Sequence, residues 1–233
     1  MINNINIINY IQLILNKKIS DVTINDFKSV KSLVISKMLN GEQVYNLDEI
    51  LLFENLDYLL VLDSTINNDD IQVLANSKGI KNIVFKHCYF QEDVDYLKLD
   101  SINSLKLEKC FLSKYSILTK LIDLKELSII FPYGEDDIDL SFITYLDKLE
   151  TLELEGCIIS DINCISNLTN LKKLSLLYTS NDIDLEFLSQ FRSLKKVYVS
   201  SKNILQGQYD MLEVRNDYSM DLMDDENYSK GLV

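Results

Sequence analysis

The apolar positions of this chain recur with a single spacing. From Leu149 the sequence runs LETLELEGCII, from Leu171 LKKLSLLYTSN, and from Leu194 LKKVYVSSKNI. Each copy has aliphatic residues at its first, fourth and sixth positions, and the first copy adds Cys157 at the ninth and Ile159 at the eleventh. The same pattern begins upstream at Val30 (Leu33, Ile35), Leu56 (Leu59, Val61), Ile80 (Ile83, Phe85), Ile102 (Leu105, Leu107) and Leu124 (Leu127, Ile129). Ser64, Cys88 and Cys110 fill the ninth position, and Ile66, Phe90 and Leu112 the eleventh. The unit from Leu124 is irregular, with Pro132 and Gly134 at these two places and the charged run GEDDID beginning at Gly134. Apolar residues two apart, flanked by polar ones, predict one short strand per unit with alternate side chains on opposite faces.

Start-to-start spacings are 26, 24, 22, 22, 25, 22 and 23 residues. Between the strands lie NLDEILLFENL, NNDDIQVLANSKG, LSKYSILTKLIDL and NDIDLEFLSQF, where Asn or Asp precedes apolar residues three or four apart. These predict short capped helices or single helical turns on the outer side. Leucines at this spacing are the signature of a leucine-rich repeat, whose units cannot bury their apolar face alone and stack into a solenoid. The expected fold is therefore α/β, a horseshoe of about eight repeats over residues 30–204 with a parallel concave sheet. At strand spacing its inner face measures roughly 35 Å. Ile5, Ile8, Ile11, Ile14 and Leu15 stand at helical spacing and predict an N-terminal helical cap within residues 1–29. Residues 205–233 are expected to supply a last strand or cap, in QGQYDMLEVRNDYSM, and an acidic tail.

Charge narrows the partner. With 36 acidic against 23 basic residues, a formal charge of −13 and a pI near 4.5, the chain lacks the basic stripe that a nucleic-acid backbone requires. A basic or neutral protein partner is expected, with neither nucleic acid nor membrane. The N-terminus MINNINIINYIQLILNKK has no positive leader region or small-residue cleavage site, and no run reaches the length of a membrane span. The expected address is the cytoplasm. Four cysteines without C-x-x-C pairing, and a single histidine, offer no metal module. Cys88, Cys110 and Cys157 share one repeat position, where a small side chain points inward, and are expected to be buried free thiols, although Cys88 and Cys110 on adjacent units stand within bridging reach. The clusters Asp69 and Asp70, Glu135 to Asp137, and Asp224 to Glu226 lack the alternate spacing of a calcium loop and read as solvated loops and helix starts. No nucleophile stands in register with His87, so neither an enzyme nor a cofactor is expected.

What remains are the residues interleaved with the inward leucines. They include Tyr58, Leu60, Leu62 and Val84 near one end and Ile130, Phe131, Leu177, Tyr178 and Tyr198 towards the other. A solvated sheet has no need of such a contiguous apolar surface, which marks an interaction site. The expected contact set adds Lys86 and His87, with Glu108, Glu153 and Glu155 as an acidic centre that selects a basic patch.

The motif I-S-D-I-x-x-I-S-N-L-T-N-L from Ile159 to Leu171, with the N-terminal helix and V-T-I-N-D-F-x-x-V-x-x-L-x-I from Val22 to Ile35, resembles bacterial leucine-rich-repeat proteins with internalin-like repeats of about 22 residues. The resemblance covers most of residues 19–204 and implies a concave face that binds protein. The acidic balance suits an inhibitor or immunity-type protein masking a basic enzyme or toxin. The alternative is an effector delivered to a host, acting by binding host proteins.

Overall fold

The computed structural model describes residues 2–43, 45–92, 94, 99, 101–134, 137–179, 188 and 190–200, and the backbone of 212–215. The Glu135, Asp136 and Asp224 to Glu226 acids and Ile204 lie outside the described residues.

Nine strands form one parallel sheet in chain order: β1 Ser32–Ser36, β2 Tyr58–Leu62, β3 Asn82–Lys86, β4 Ser104–Glu108, β5 Glu126–Ile130, β6 Thr151–Glu155, β7 Lys173–Leu176, β8 Lys196–Ser200 and β9 Leu212–Arg215. The pairing is in register throughout, so Leu33, Leu59, Ile83, Leu105, Leu127, Leu152, Leu174 and Val197 form one row and Ile35 through Val199 the next. Both rows are buried. Each such aliphatic side chain contributes about 1.5–3 kcal/mol when withdrawn from water, and that repeated gain fixes the register, because a one-residue slip would turn both rows outward. β9 falls in the stretch for which a last strand was expected.

The six strands β2 to β7 end in the same way. The eighth residue of the unit is left-handed in all six: Asp63, His87, Lys109, Phe131, Gly156 and Tyr178 have φ between 45° and 64°. The turn swings the chain off the sheet while its N–H still reaches the next unit: Asp63 donates to the Lys86 carbonyl at 3.0 Å, His87 to Glu108 at 2.9 Å, Lys109 to Ile130 at 2.8 Å, Phe131 to Glu155 at 2.8 Å and Gly156 to Leu177 at 2.9 Å. The ninth residue then points inward. The Cys88 thiol donates to the Val61 carbonyl at 3.5 Å, Cys110 to Phe85 at 3.3 Å and Cys157 to Ile129 at 3.5 Å, while the Ser64 hydroxyl donates to Leu62 at 2.6 Å. The cysteines thus satisfy carbonyls turned into the core, and all four are free thiols, as expected.

Among the described residues the outer side has one α-helix, of nine residues, α3 (Asn68–Asn76), opened by a capping box between Asn67 and Asp70. Elsewhere the units carry single 3₁₀ turns at Asp48–Leu52, Tyr115–Lys120, Leu140–Tyr145 and Ile162–Asn167. The first unit departs from these six. Its Lys37 is not left-handed but buried, with Nζ 2.6 Å from Asp70 and 2.9 Å from the Thr65 carbonyl.

Helix α1 (Ile5–Leu15) covers the edge of β1, but its buried face is Ile7 and Ile11, with Ile8 and Leu15 partly covered. Ile5 and Ile14, expected on that face, are exposed. The difference arises because polar residues bind the open strand edge: the Asn4 and Asn6 side-chain amides donate to the Ser36 carbonyl at 3.2 and 3.1 Å, and the Tyr10 hydroxyl meets Ser32 at 3.3 Å. These contacts rotate the helix away from its most apolar stripe and satisfy an otherwise unpaired edge. A short helix α2 (Ile24–Ser29) with its own capping box leads into β1. Among the described residues no helix is long and apolar enough to cross a membrane.

Candidate functional site

The solvent face of the sheet carries three side chains per strand, aligned in rows by the register. The middle row runs Val34, Leu60, Val84, Lys106, Ser128, Glu153, Ser175, Tyr198. Its first three members are aliphatic and half-buried, with Leu62 in the next row and Tyr58, 37 % exposed, in the row before. Tyr58, Leu60, Leu62 and Val84 are therefore brought together as one apolar patch.

The centre of the face is a charge network rather than an acidic patch. Glu108 is paired with Lys86 at 2.6 Å and with Lys106 at 3.2 Å. Glu153 accepts from the Ser128 hydroxyl at 2.7 Å and from Lys173 at 2.5 Å, and Lys173 also lies over the Tyr198 ring, 5.5 Å from its centroid. Partial burial works against ionisation of both carboxylates, yet their lysines hold them below the usual carboxylate range. Glu155 differs: its hydrogen bond is from the Ser175 hydroxyl at 3.1 Å, and burial, reinforced by the neighbouring Glu153, pushes its carboxyl up. The expected acidic centre of Glu108, Glu153 and Glu155 therefore carries lysine partners at two of its three members: Lys86, in register on the preceding strand, with Lys106 of the same strand, at Glu108, and Lys173, diagonal on the next strand, at Glu153.

Four of the expected contacts lie at the strand ends. His87, Phe131 and Tyr178 are residues of the left-handed turns and stand on the rim of the sheet. His87 Nδ1 is 3.3 Å from Asp63, and its ring stacks towards Tyr133 at 6.4 Å. Phe131 and Tyr178 meet at 6.1 Å across the intervening unit, whose eighth residue is Gly156. Leu177, expected on the open face, is only 7 % exposed and lies past the end of β7. Ser175 is buried as well, being short and set in register between the longer Glu153 and Tyr198. Ile130 is half-buried beside Glu155.

A second exposed row escaped the sequence reading. Tyr89 (43 % exposed), the half-buried Phe111, Tyr133 (52 %) and Ile158 (38 %) occupy the tenth position of four consecutive units, and the Tyr89 and Phe111 rings stack in parallel at 4.9 Å. The signal was the same repeat spacing carried two residues beyond the left-handed turn, where strand alternation no longer applies.

The chemistry of the remaining groups is structural. Among the described residues no group of three His, Cys, Asp or Glu side chains converges on a metal position. The neighbouring Cys110 thiol and burial push Cys88 up, and burial pushes Cys157 up to about 12. A thiol reagent must reach the sulfur, and Cys88, Cys110 and Cys157 are buried, so one equivalent is expected to react in the folded protein, at the half-exposed Cys164, and the other three only in denaturant. Mass spectrometry after alkylation reads this directly, and rapid labelling of Cys88 or Cys157 in the native state would contradict it.

No protein-family model matches the chain, and no curated protein matches it. Among solved structures it is similar to an internalin (inlF) from Listeria monocytogenes, at 25 % identity and a TM-score of 0.61, over 84 % of this chain and 56 % of that one. It is also similar to internalin C2 from the same organism, at 22 % identity and a TM-score of 0.56, over 84 % and 93 % of the two chains. The TLR13 chain of a TLR13–ssRNA13 complex matches at 20 % identity and a TM-score of 0.61, over 84 % of this chain and 28 % of that one. The chain thus spans little more than half of the first internalin. That structure is a complex with ssRNA13, so the fold does not exclude nucleic acid, and the expectation against it rests on charge alone.

Proposed function

We propose that this chain, a leucine-rich-repeat solenoid built like the internalins, is a non-enzymatic module that binds a protein through the open face of its sheet. The observation that supports this reading most strongly is the patch of Tyr58, Leu60, Leu62 and Val84, four apolar side chains adjacent in register on a solvent face. Apolar anchors beside a charged field are the composition of an interface, in which a few large side chains carry most of the affinity and the charges select the partner. The net charge of −13 favours a basic or neutral partner. Masking a basic enzyme or toxin inside the producing cell fits that charge, and delivery to a host, the second reading, would use the same face. Genes for a toxin or for a secretion apparatus beside this one would separate the two.

The test takes a partner captured from extract of the source organism on the immobilised chain. Leu60→Glu sets a carboxylate between Val34 and Val84, and Tyr198→Ala removes a ring from the same row. Each is expected to weaken binding about 30-fold or more, with circular dichroism and the thermal midpoint unchanged. Native-like binding by both variants would overturn the assignment of the face.

A further inference from the structure

The sheet face already shows how it holds a cation. The Lys173 ammonium is 2.5 Å from the Glu153 carboxylate and lies over the Tyr198 ring, a carboxylate and an aromatic face sharing one positive charge. One row away a carboxylate and two aromatic rings again stand on neighbouring residues, and among the described residues no lysine is paired with that carboxylate or lies over those rings. Glu155 ends β6, and among the described residues the sole hydrogen bond to its carboxylate is from the Ser175 hydroxyl. The Phe131 ring lies over the next residue, Gly156, so closely that a Cβ there would be 2.2 Å from Cδ1. Tyr178 faces that ring from the following unit with the two planes tilted by 31°. Both rings are solvent-accessible, and the lysines whose charge acts on Glu155, Lys106 and Lys173, are engaged by Glu108 and Glu153.

We propose that Glu155, Phe131 and Tyr178 form a socket for one arginine side chain of the partner protein. This rests on the reading of the open sheet as the docking face. Glu155 keeps most of its acceptor sites, and a carboxylate accepts two parallel N–H bonds from a guanidinium. The flat guanidinium also stacks on aromatic faces, which the compact, strongly hydrated ammonium of lysine does less well. The socket sits at the rim, so an arginine on a loop or helix end of the partner enters it without being threaded along the sheet.

The experiment titrates the full chain with the peptide acetyl-Gly-Arg-Gly-amide, and with the same peptide carrying citrulline, the neutral near-isostere of arginine, while following the Phe131 and Tyr178 ring signals by NMR. The arginine peptide is expected to shift both rings and to bind about tenfold more tightly than the citrulline peptide. Glu155→Gln should erase that difference. Phe131→Ala, which removes an exposed ring, should weaken arginine binding several-fold, and Glu126→Gln on the same face should change nothing. Equal binding of the two peptides, arginine shifts confined to other acidic sites, or an unaffected Glu155→Gln variant would each overturn the socket. Any of these together with a partner still lost on Leu60→Glu leaves the docking face standing. A partner indifferent to Leu60→Glu and Tyr198→Ala removes the docking face whatever the arginine peptide does.

Discussion

Replacing Lys37 by methionine is expected to destabilise the protein by about 3–5 kcal/mol, because it leaves the Asp70 carboxylate buried without its counter-charge. Both side chains of the pair are 2 % exposed, and the ammonium also donates to the Thr65 carbonyl. Asp70 is fixed in place as part of the box that caps α3, accepting from the Asn67 N–H at 3.0 Å, so it has no route to solvent. The pair therefore ties the first unit to the outer helix of the second. The loss should lower the thermal midpoint by roughly 10 °C in a chain of this length. Adding Asp70→Asn, which removes the orphaned charge while keeping an acceptor for the cap, should recover more than half of it. Chemical denaturation followed by circular dichroism measures all three proteins, and a Lys37→Met variant within about 1 kcal/mol of the native chain would show that the pair is dispensable.

Gly156→Val is expected to cost about 3 kcal/mol, from two sources that separate experimentally. The φ of 64° belongs to the left-handed region, which penalises a side chain by about 1–2 kcal/mol and a β-branched one most. The new Cβ also falls on the Phe131 ring, so the ring must leave Tyr178. In a Phe131→Ala background the steric part disappears and the backbone part stays, so the cost of Gly156→Val should drop to about 2 kcal/mol. Gly156→Asn keeps the steric part and lowers the backbone part, since asparagine tolerates this conformation. An unchanged cost in the Phe131→Ala background would mean that the ring does not occupy the space above the glycine.

The stacked rows were readable in the sequence because every unit repeats the same physical requirement. Leu33, Leu59 and their counterparts fill one layer of core, and nothing else in the chain competes for it. The turns were not readable, since left-handed backbone is usually announced by glycine, and among these six residues only Gly156 is one. Asp63, His87, Lys109 and Phe131 adopt it because the ladder bonds of the next unit hold them there, and Tyr178 because its N–H donates to the Ser200 hydroxyl of the next unit, tertiary constraints with no local mark. That is why Phe131 and Tyr178 were expected on the sheet itself and stand on its rim, beside the turn of His87, which was expected on the concave side or its edge, and why Leu177 was expected outside. Lys37 reads as a surface residue from its own sequence, and only the distant Asp70 accounts for its burial. The candidate patch at Tyr58, Leu60, Leu62 and Val84 needed only period-two alternation. The charge pairing that neutralises Glu108 and Glu153 needed the strand register, which alternation along one strand does not contain.

The account turns on which surface touches the partner, and site-directed photocrosslinking reads that contact directly. A benzoylphenylalanine placed at Val84, in the middle row of the sheet, is expected to form a covalent adduct with the captured partner. The same residue at Ile122, 55 % exposed in the turn ahead of β5 and away from the sheet face, is expected to form none. An adduct from position 122 with none from position 84 would contradict the assignment of the open sheet as the binding face.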